Sequence, residues 1–249
     1  MHPYYETRIM TIVDQILNYA SLQKQPFRRR DLMQFLANNN VSEASAHVLL
    51  KRLVEQGKLV KAGYGLYALP EKEKTTFIYK PSEEEQSIAK QIKGRFPFAD
   101  FCVWKPSVLV PYMRHIPALG ITLIDVERVA MESVFNFLLG NGPSMSILLN
   151  PTEQECERYI TTDKLMIVRV LVNEAPIIMV NDTPAPTLEK ILVDAAGDKE
   201  LVFAQGAELY TIYEEAFSSH NVNRSRLLRY AARRHRKEQI LNIINTIES

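Results

Sequence analysis

The sequence predicts an α+β protein: an N-terminal helix-turn-helix module closed by a β-hairpin, followed by a larger mixed α/β domain that ends in helices. Three observations predict it. Apolar residues recur at three- and four-residue spacing in the N-terminal segments, the pattern of amphipathic helices. From Phe98 to Val180, short Val- and Ile-rich runs alternate with helical patterns, as in a domain built on a central sheet. Helical segments follow from Thr187 to the end. A length of 249 residues, 46% hydrophobic and 24% charged, suffices for two domains with real cores and excludes disordered, collagenous and fibrous classes. The expected division is residues 1–70, a linker with a connecting helix over 71–97, and 98–249.

Ile9, Ile12, Val13, Ile16, Leu17 and Ala20 lay one apolar stripe along a helix from about Thr7 to Leu22. Gln25-Pro26-Phe27 breaks it, and Leu32, Met33, Phe35 and Leu36 define a short helix from Arg29 to Ala37. Asn38-Asn39-Asn40 is a turn, since Asn tolerates left-handed dihedrals. Ser42 N-caps a third helix with Ala46, Leu49, Leu50 and Leu53 on one face, ending at Gly57. Lys58–Lys61 reads as a strand, Ala62–Gly65 as a tight turn and Leu66–Leu69 as the returning strand, closed by Pro70. Arg28 to Pro70 resembles a winged-helix DNA-binding domain, most specifically in Leu53-Val54-Glu55-Gln56-Gly57-Lys58-Leu59-Val60 and Gly65-Leu66-Tyr67.

Beyond the polar linker, Thr76–Tyr79 is expected as an edge strand, and Ser82 as the cap of a helix from Glu83 to about Lys93. Strands are expected at Phe101–Trp104, Ile121–Glu127, Met145–Leu149, Leu165–Val172 and Ile177–Val180, the last in the series. Helices are expected at Lys105–His115, interrupted by Pro111, at Val129–Leu139, and from the Thr152/Glu155 capping box to Tyr159. Asn141-Gly142-Pro143 makes a turn. Thr183-Pro184-Ala185-Pro186 stops one segment, and Thr187 caps a helix Leu188–Ala196 ending at Gly197.

The net charge of +1 conceals three unequal segments: residues 1–70 carry net +4, residues 224–249 net +5, and the middle net −8. Two basic ends point to a polyanionic partner. On the third helix the face opposite the apolar one holds Ala44, His47, Val48, Lys51 and Glu55, with Ser45 and Arg52 on its flank. Small residues there let the helix enter a major groove; Ser42, Ser45 and His47 reach phosphate or base edges, and Lys51 and Arg52 neutralise phosphates. Arg28, Arg29 and Arg30 are placed to meet the backbone, and Lys61 with Tyr64 puts the hairpin against the neighbouring strand or the minor groove. The expected partner is double-stranded operator DNA, bound by paired protomers on an inverted repeat. A second basic patch spans Asn223–Glu238, where Arg226, Arg229, Arg233, Arg236 and Lys237 fall in one sector of a helical wheel; its alternative is pairing with the acidic middle of the same chain.

No apolar run is long enough for a membrane span, and Met1–Glu6 lacks the basic and apolar regions of a signal peptide, so a cytoplasmic chain is expected. Cys102 and Cys156 have neither CxxC nor zinc spacing and read as buried thiols; no metal, cofactor or catalytic residue is predicted. One enzymatic alternative rests on Asp125 and Glu127, which strand alternation places on one face as a pair able to bind Mg²⁺ for nucleic-acid processing. The other alternative is a winged helix that docks on protein.

The segment Thr187-Leu188-Glu189-Lys190-Ile191-Leu192-Val193-Asp194 is similar to the Pro/Glu-Lys-x-Leu-x-Asp stretch of the AbiEi family. These are antitoxins and transcriptional autoregulators of type IV toxin–antitoxin systems, with an N-terminal winged helix and a C-terminal antitoxin domain. The resemblance implies repression of the protein's own operon and neutralisation of a nucleotidyltransferase-like toxin. In it Glu189, Lys190 and Asp194 organise a turn and helix.

Overall fold

Two units make up the chain, Met1–Lys72 and Glu73–Ser249, and the computed structural model describes residues 11–23, 26–70, 73–115, 117, 120–141, 146–159 and 164–249 of them. The class is α+β with C-terminal helices, as expected.

In the first unit, Thr11 and Asp14 form a reciprocal capping box at the start of α1 (Ile12–Ser21). The part of this helix expected from Thr7 to Met10, like Gln25, lies outside the described residues. Phe27, expected to help end α1, and Arg28, expected to meet the DNA backbone, together form β1, too short for strand alternation to reveal. Next come α2 (Arg29–Asn38), a turn with Asn40 at φ 59°, and α3 (Glu43–Glu55), whose cap Ser42 accepts from the Ser45 N–H. Gly57 (φ +67°) ends α3: Gly57 N–H donates to Val54 O and Lys58 N–H to Leu53 O, a pairing that requires the left-handed conformation glycine adopts without strain. The hairpin is β2 (Val60–Gly63) and β3 (Leu66–Ala68), and the antiparallel sheet runs β1-β3-β2, with Phe27 opposite Tyr67 and Val60 opposite Ala68. Ile16, Leu32, Leu36, Leu50, Leu53 and Leu59 are all but fully buried at its core, so the apolar stripes of α1, α2 and α3 face one another.

The second unit is built on a four-stranded sheet of order β4-β5-β7-β6, comprising β4 (Phe101–Trp104), β5 (Ile121–Val126), β6 (Ser146–Leu149) and β7 (Leu165–Val170). β4 is antiparallel to β5; the other pairs are parallel. Alternation sorts each strand onto two covered faces. Phe101, Val103, Ile124, Val126, Met166 and Val168 meet α4 (Glu83–Arg95) and α5 (Met131–Asn141). Cys102, Trp104, Leu123, Leu165 and Ile167 meet the C-terminal helices α7 (Leu188–Ala195), α8 (Ala207–Ser219), α9 (Arg224–Arg233) and α10 (Lys237–Glu248). The capping boxes at Ser82 and at Thr152, which opens α6 (Glu153–Tyr159), are present. The segment with Pro111 inside is a 3-10 helix, Pro106–Tyr112. Met145 and the Gly142-Pro143 turn lie outside the described residues.

Three expectations change. Among the described residues Thr76–Tyr79 pairs with no strand; Thr75 bridges to His220, and Tyr79 is buried with its hydroxyl donating to Glu85. Thr183–Pro186 is a strand rather than a stop: β9 pairs with β8 (Ile177–Val180) across a two-residue turn in which Asn181 and Asp182 have φ 48° and 59°. Two left-handed residues match the twist of a tight hairpin, and β9 tolerates its prolines as an edge strand. The basic segment is not one helix, because His235 (φ 55°) breaks it between α9 and α10.

Candidate functional site

The ten residues expected to meet DNA all lie in the first unit, and all except half-buried Arg29 are exposed. Ser42 caps α3, and its hydroxyl lies 2.8 Å from the Ser45 hydroxyl. Ala44, Ser45, His47, Val48, Lys51 and Arg52 form the solvent face of α3, with Val48 68% exposed. Lys51 lies 3.8 Å from Glu55, an exposed pair one turn along that leaves the ammonium in water. Arg28 is on β1; the Arg29 N–H donates to Gly65 O, tying the start of α2 to the hairpin turn. Tyr64 sits at the tip of that turn, fully exposed, and Lys61 is exposed on β2.

The expected cationic stripe at the C-terminus is dismantled by the break at His235. Arg226 and Arg229 stay on α9 while Arg236 and Lys237 belong to the turn and to α10. Arg236 bends inward, donating to Gly197 O at 2.7 Å, and its neighbour Arg234 donates to Asp198. Arg226 lies 3.6 Å from Glu189, and Arg233 donates to Glu174. Much of this charge is therefore met within the chain, although the exposed Arg233–Glu174 pair holds its partners weakly.

The largest concentration of ionic contacts is buried. Parity puts Asp125 on β5 and Arg169 on β7 on the sheet face covered by the C-terminal helices, and parallel register sets them side by side. Arg169 donates to Asp125 (2.5 Å), Asp198 (2.8 Å), Glu200 (2.9 Å) and Asp194 (3.2 Å). Lys190, 1% exposed, donates to Asp125 (2.5 Å) and Asp194 (2.6 Å). The Trp104 indole N–H donates to Asp125, and the Tyr230 hydroxyl to Asp194. Lys190 and Asp194 thus do more than organise a local turn: together with Arg169 they join β5, β7, α7, α9 and the 3-10 helix Lys199–Ala204. Arg169, Asp198, Glu200 and Arg234 were missed from sequence. One available signal was a lone charged residue inside each of two otherwise uncharged strands, Asp125 in Ile121–Val126 and Arg169 in Leu165–Val170.

This network engages both oxygens of Asp125. Glu127 lies past the end of β5 and accepts from the Asp100 N–H, so the two carboxylates serve separate neighbours. Among the described residues no three His, Cys, Asp or Glu side chains are grouped to hold a metal ion. Cys102 and Cys156 are buried free thiols.

The carboxylates titrate in opposite directions. Burial alone would push Asp125 up, but the Arg169 and Lys190 charges outweigh it and hold the carboxyl well below the usual range. Asp198 is pushed up to about 6 by burial and by the Asp194 charge. A depressed acid contributes stability above its unfolded value, about 4, and loses it as pH falls; a raised acid contributes below that value and loses it as pH rises through about 6. Stability of the second unit is expected to be greatest in mildly acidic solution and to fall on both sides. Urea midpoints followed by the fluorescence of Trp104, the single tryptophan, would show this; a flat profile from pH 4 to 7 would contradict it.

The geometry defines a class: an α+β protein with a small unit that presents exposed Lys51 and Arg52 on α3 and exposed Lys61 on its hairpin, joined in sequence to a sheet domain that holds a cluster of buried ion pairs. The chain belongs to a family of unknown function, DUF6577, whose model matches residues 45–249. No curated protein matches it. Among the described residues no helix is long and apolar enough to cross a membrane.

Proposed function

We propose that the first unit is a winged helix that binds duplex DNA, with α3 in the major groove and the β2–β3 hairpin along the backbone. The observation that carries this reading is the solvent face of α3: small residues at its N-terminal end, Ser45 and His47 able to bond base edges or phosphates, and exposed Lys51 and Arg52 farther along. The order of three helices and three short strands, with Tyr64 at an exposed turn, supports it. Exposed Val48 suits apolar contact with a thymine methyl. The resemblance of Thr187–Asp194 to AbiEi proteins supplies the rest of the reading: a cytoplasmic, non-catalytic repressor of its own operon that also neutralises a nucleotidyltransferase-like toxin. Two protomers would occupy an inverted repeat with half-sites about 10 bp apart.

Fluorescence anisotropy with a labelled duplex from upstream of the gene tests the binding. Affinity is expected to fall steeply with salt, with a log–log slope of roughly −5 per protomer if some six cations meet phosphates. No retention of DNA at low salt would favour a protein-docking role and refute the reading. The antitoxin half is tested by the neighbouring reading frame: its product should arrest growth alone and not when co-expressed with this chain.

A further inference from the structure

A cavity of about 530 Å³ opens on the second unit beside the start of α7, lined by Glu174, Pro176, Ile178, Thr187, Arg226 and Arg229 among others. Three features of it call for an anion. First, α7 begins uncapped. Thr187 has the extended backbone of an N-cap (φ −77°, ψ 166°), yet its hydroxyl oxygen is buried without a partner and the residue is only 6% exposed. Among the described residues no acceptor meets the N–H groups of Leu188, Glu189 or Lys190. A helix start carries about half a positive charge, and leaving its donors unmet is costly. Second, Arg224, Arg226, Arg233, Arg234 and Arg236 each face a carboxylate, whereas Arg229, exposed and lining the cavity, meets none among the described residues. Third, the nearby carboxylates are already matched, Glu174 by Arg233 and Glu189 by Arg226 and the Asn223 N–H.

We infer that this cavity binds a phosphate group, held by the Arg229 guanidinium, the Thr187 hydroxyl and the first-turn N–H groups of α7, with Arg226 at its edge. Several acceptor oxygens on one anion suit donors converging from two helices. The same chemistry comes from a free or small-molecule phosphate and from a nucleic-acid backbone. The inference is independent of what the first unit binds.

Isothermal titration of the full chain with inorganic phosphate, at ionic strength held constant with chloride, tests it. Saturable binding is expected, weakened roughly tenfold or more by Arg229→Gln, less by Thr187→Val, and unchanged by Lys51→Ala with Arg52→Ala. Adenosine 5′-monophosphate binding more tightly than phosphate supports the site and assigns it to a small ligand. Displacement of phosphate by a short duplex in the Lys51→Ala, Arg52→Ala chain supports it and assigns the backbone. Trp104 fluorescence checks that each variant is folded. No saturable response to phosphate, or variants at Arg229 and Thr187 that bind as the parent does, would overturn it.

Discussion

Arg169→Met is expected to lower the unfolding free energy of the second unit by about 3–5 kcal/mol, the cost of breaking a buried ion pair by removing one partner. Arg169 is 6% exposed and is the only side chain that donates to all of Asp125, Asp194, Asp198 and Glu200 among the described residues. Methionine fills much of the same volume, so the loss is electrostatic rather than a cavity. Asp125, Asp194 and Asp198 would then share Lys190, Arg234 and Arg236, and Glu200 would keep no ion pair among the described residues, in a medium where water cannot screen them. Urea unfolding followed by Trp104 fluorescence reads this directly, because the indole donates to Asp125 within the cluster. Adding Asp125→Asn to Arg169→Met should cost less than the sum of the single changes, since Asp125→Asn removes a charge that Arg169→Met has left with Lys190 alone as its cationic partner among the described residues. Strict additivity, or a cost near zero for Arg169→Met, would show that the cluster does not act as a unit.

Lys51→Ala combined with Arg52→Ala is expected to weaken duplex binding roughly tenfold or more at low salt and to reduce the salt slope by about 2. Both side chains are exposed on α3, and the buried face of that helix is Ala46, Leu50 and Leu53, so stability should be unaffected. The loss should be nearly the same for the upstream duplex and an unrelated one, because phosphate contacts carry affinity without reading sequence. His47→Ala is the contrast: it should narrow the difference between the two duplexes more than it lowers affinity for either. An unchanged titration for the double variant would remove α3 from the groove.

Much of the first unit was legible in advance. The apolar stripe of α3, the Ser42 cap and the Gly57 stop are all written within one or two turns of chain, and the exposed residues on the opposite face follow from helical geometry. β1 was not, because two residues carry no alternation. In the second unit the strand series and the capping boxes at Ser82 and Thr152 were readable for the same local reason. The Pro-containing β9 was misread as a stop, since an edge strand tolerates prolines that a central strand does not. A helical wheel drawn over Asn223–Glu238 placed Arg236 with Arg226, and one left-handed residue, His235, undid it.

Sequence alone determined the α+β class, the basic ends around an acidic middle, and the surface of α3, because each depends on neighbours within a few residues. Only the tertiary structure decided which charges are buried and what they meet. Asp125 reaches Arg169 across 44 residues and Lys190 across 65, contacts set by parallel strand register and by helices docking on the sheet. No local pattern encodes such distances. Arg229 makes the same point from the opposite side: it is one arginine among many in the sequence, and folding leaves it lining a cavity beside the start of α7, with no carboxylate partner among the described residues.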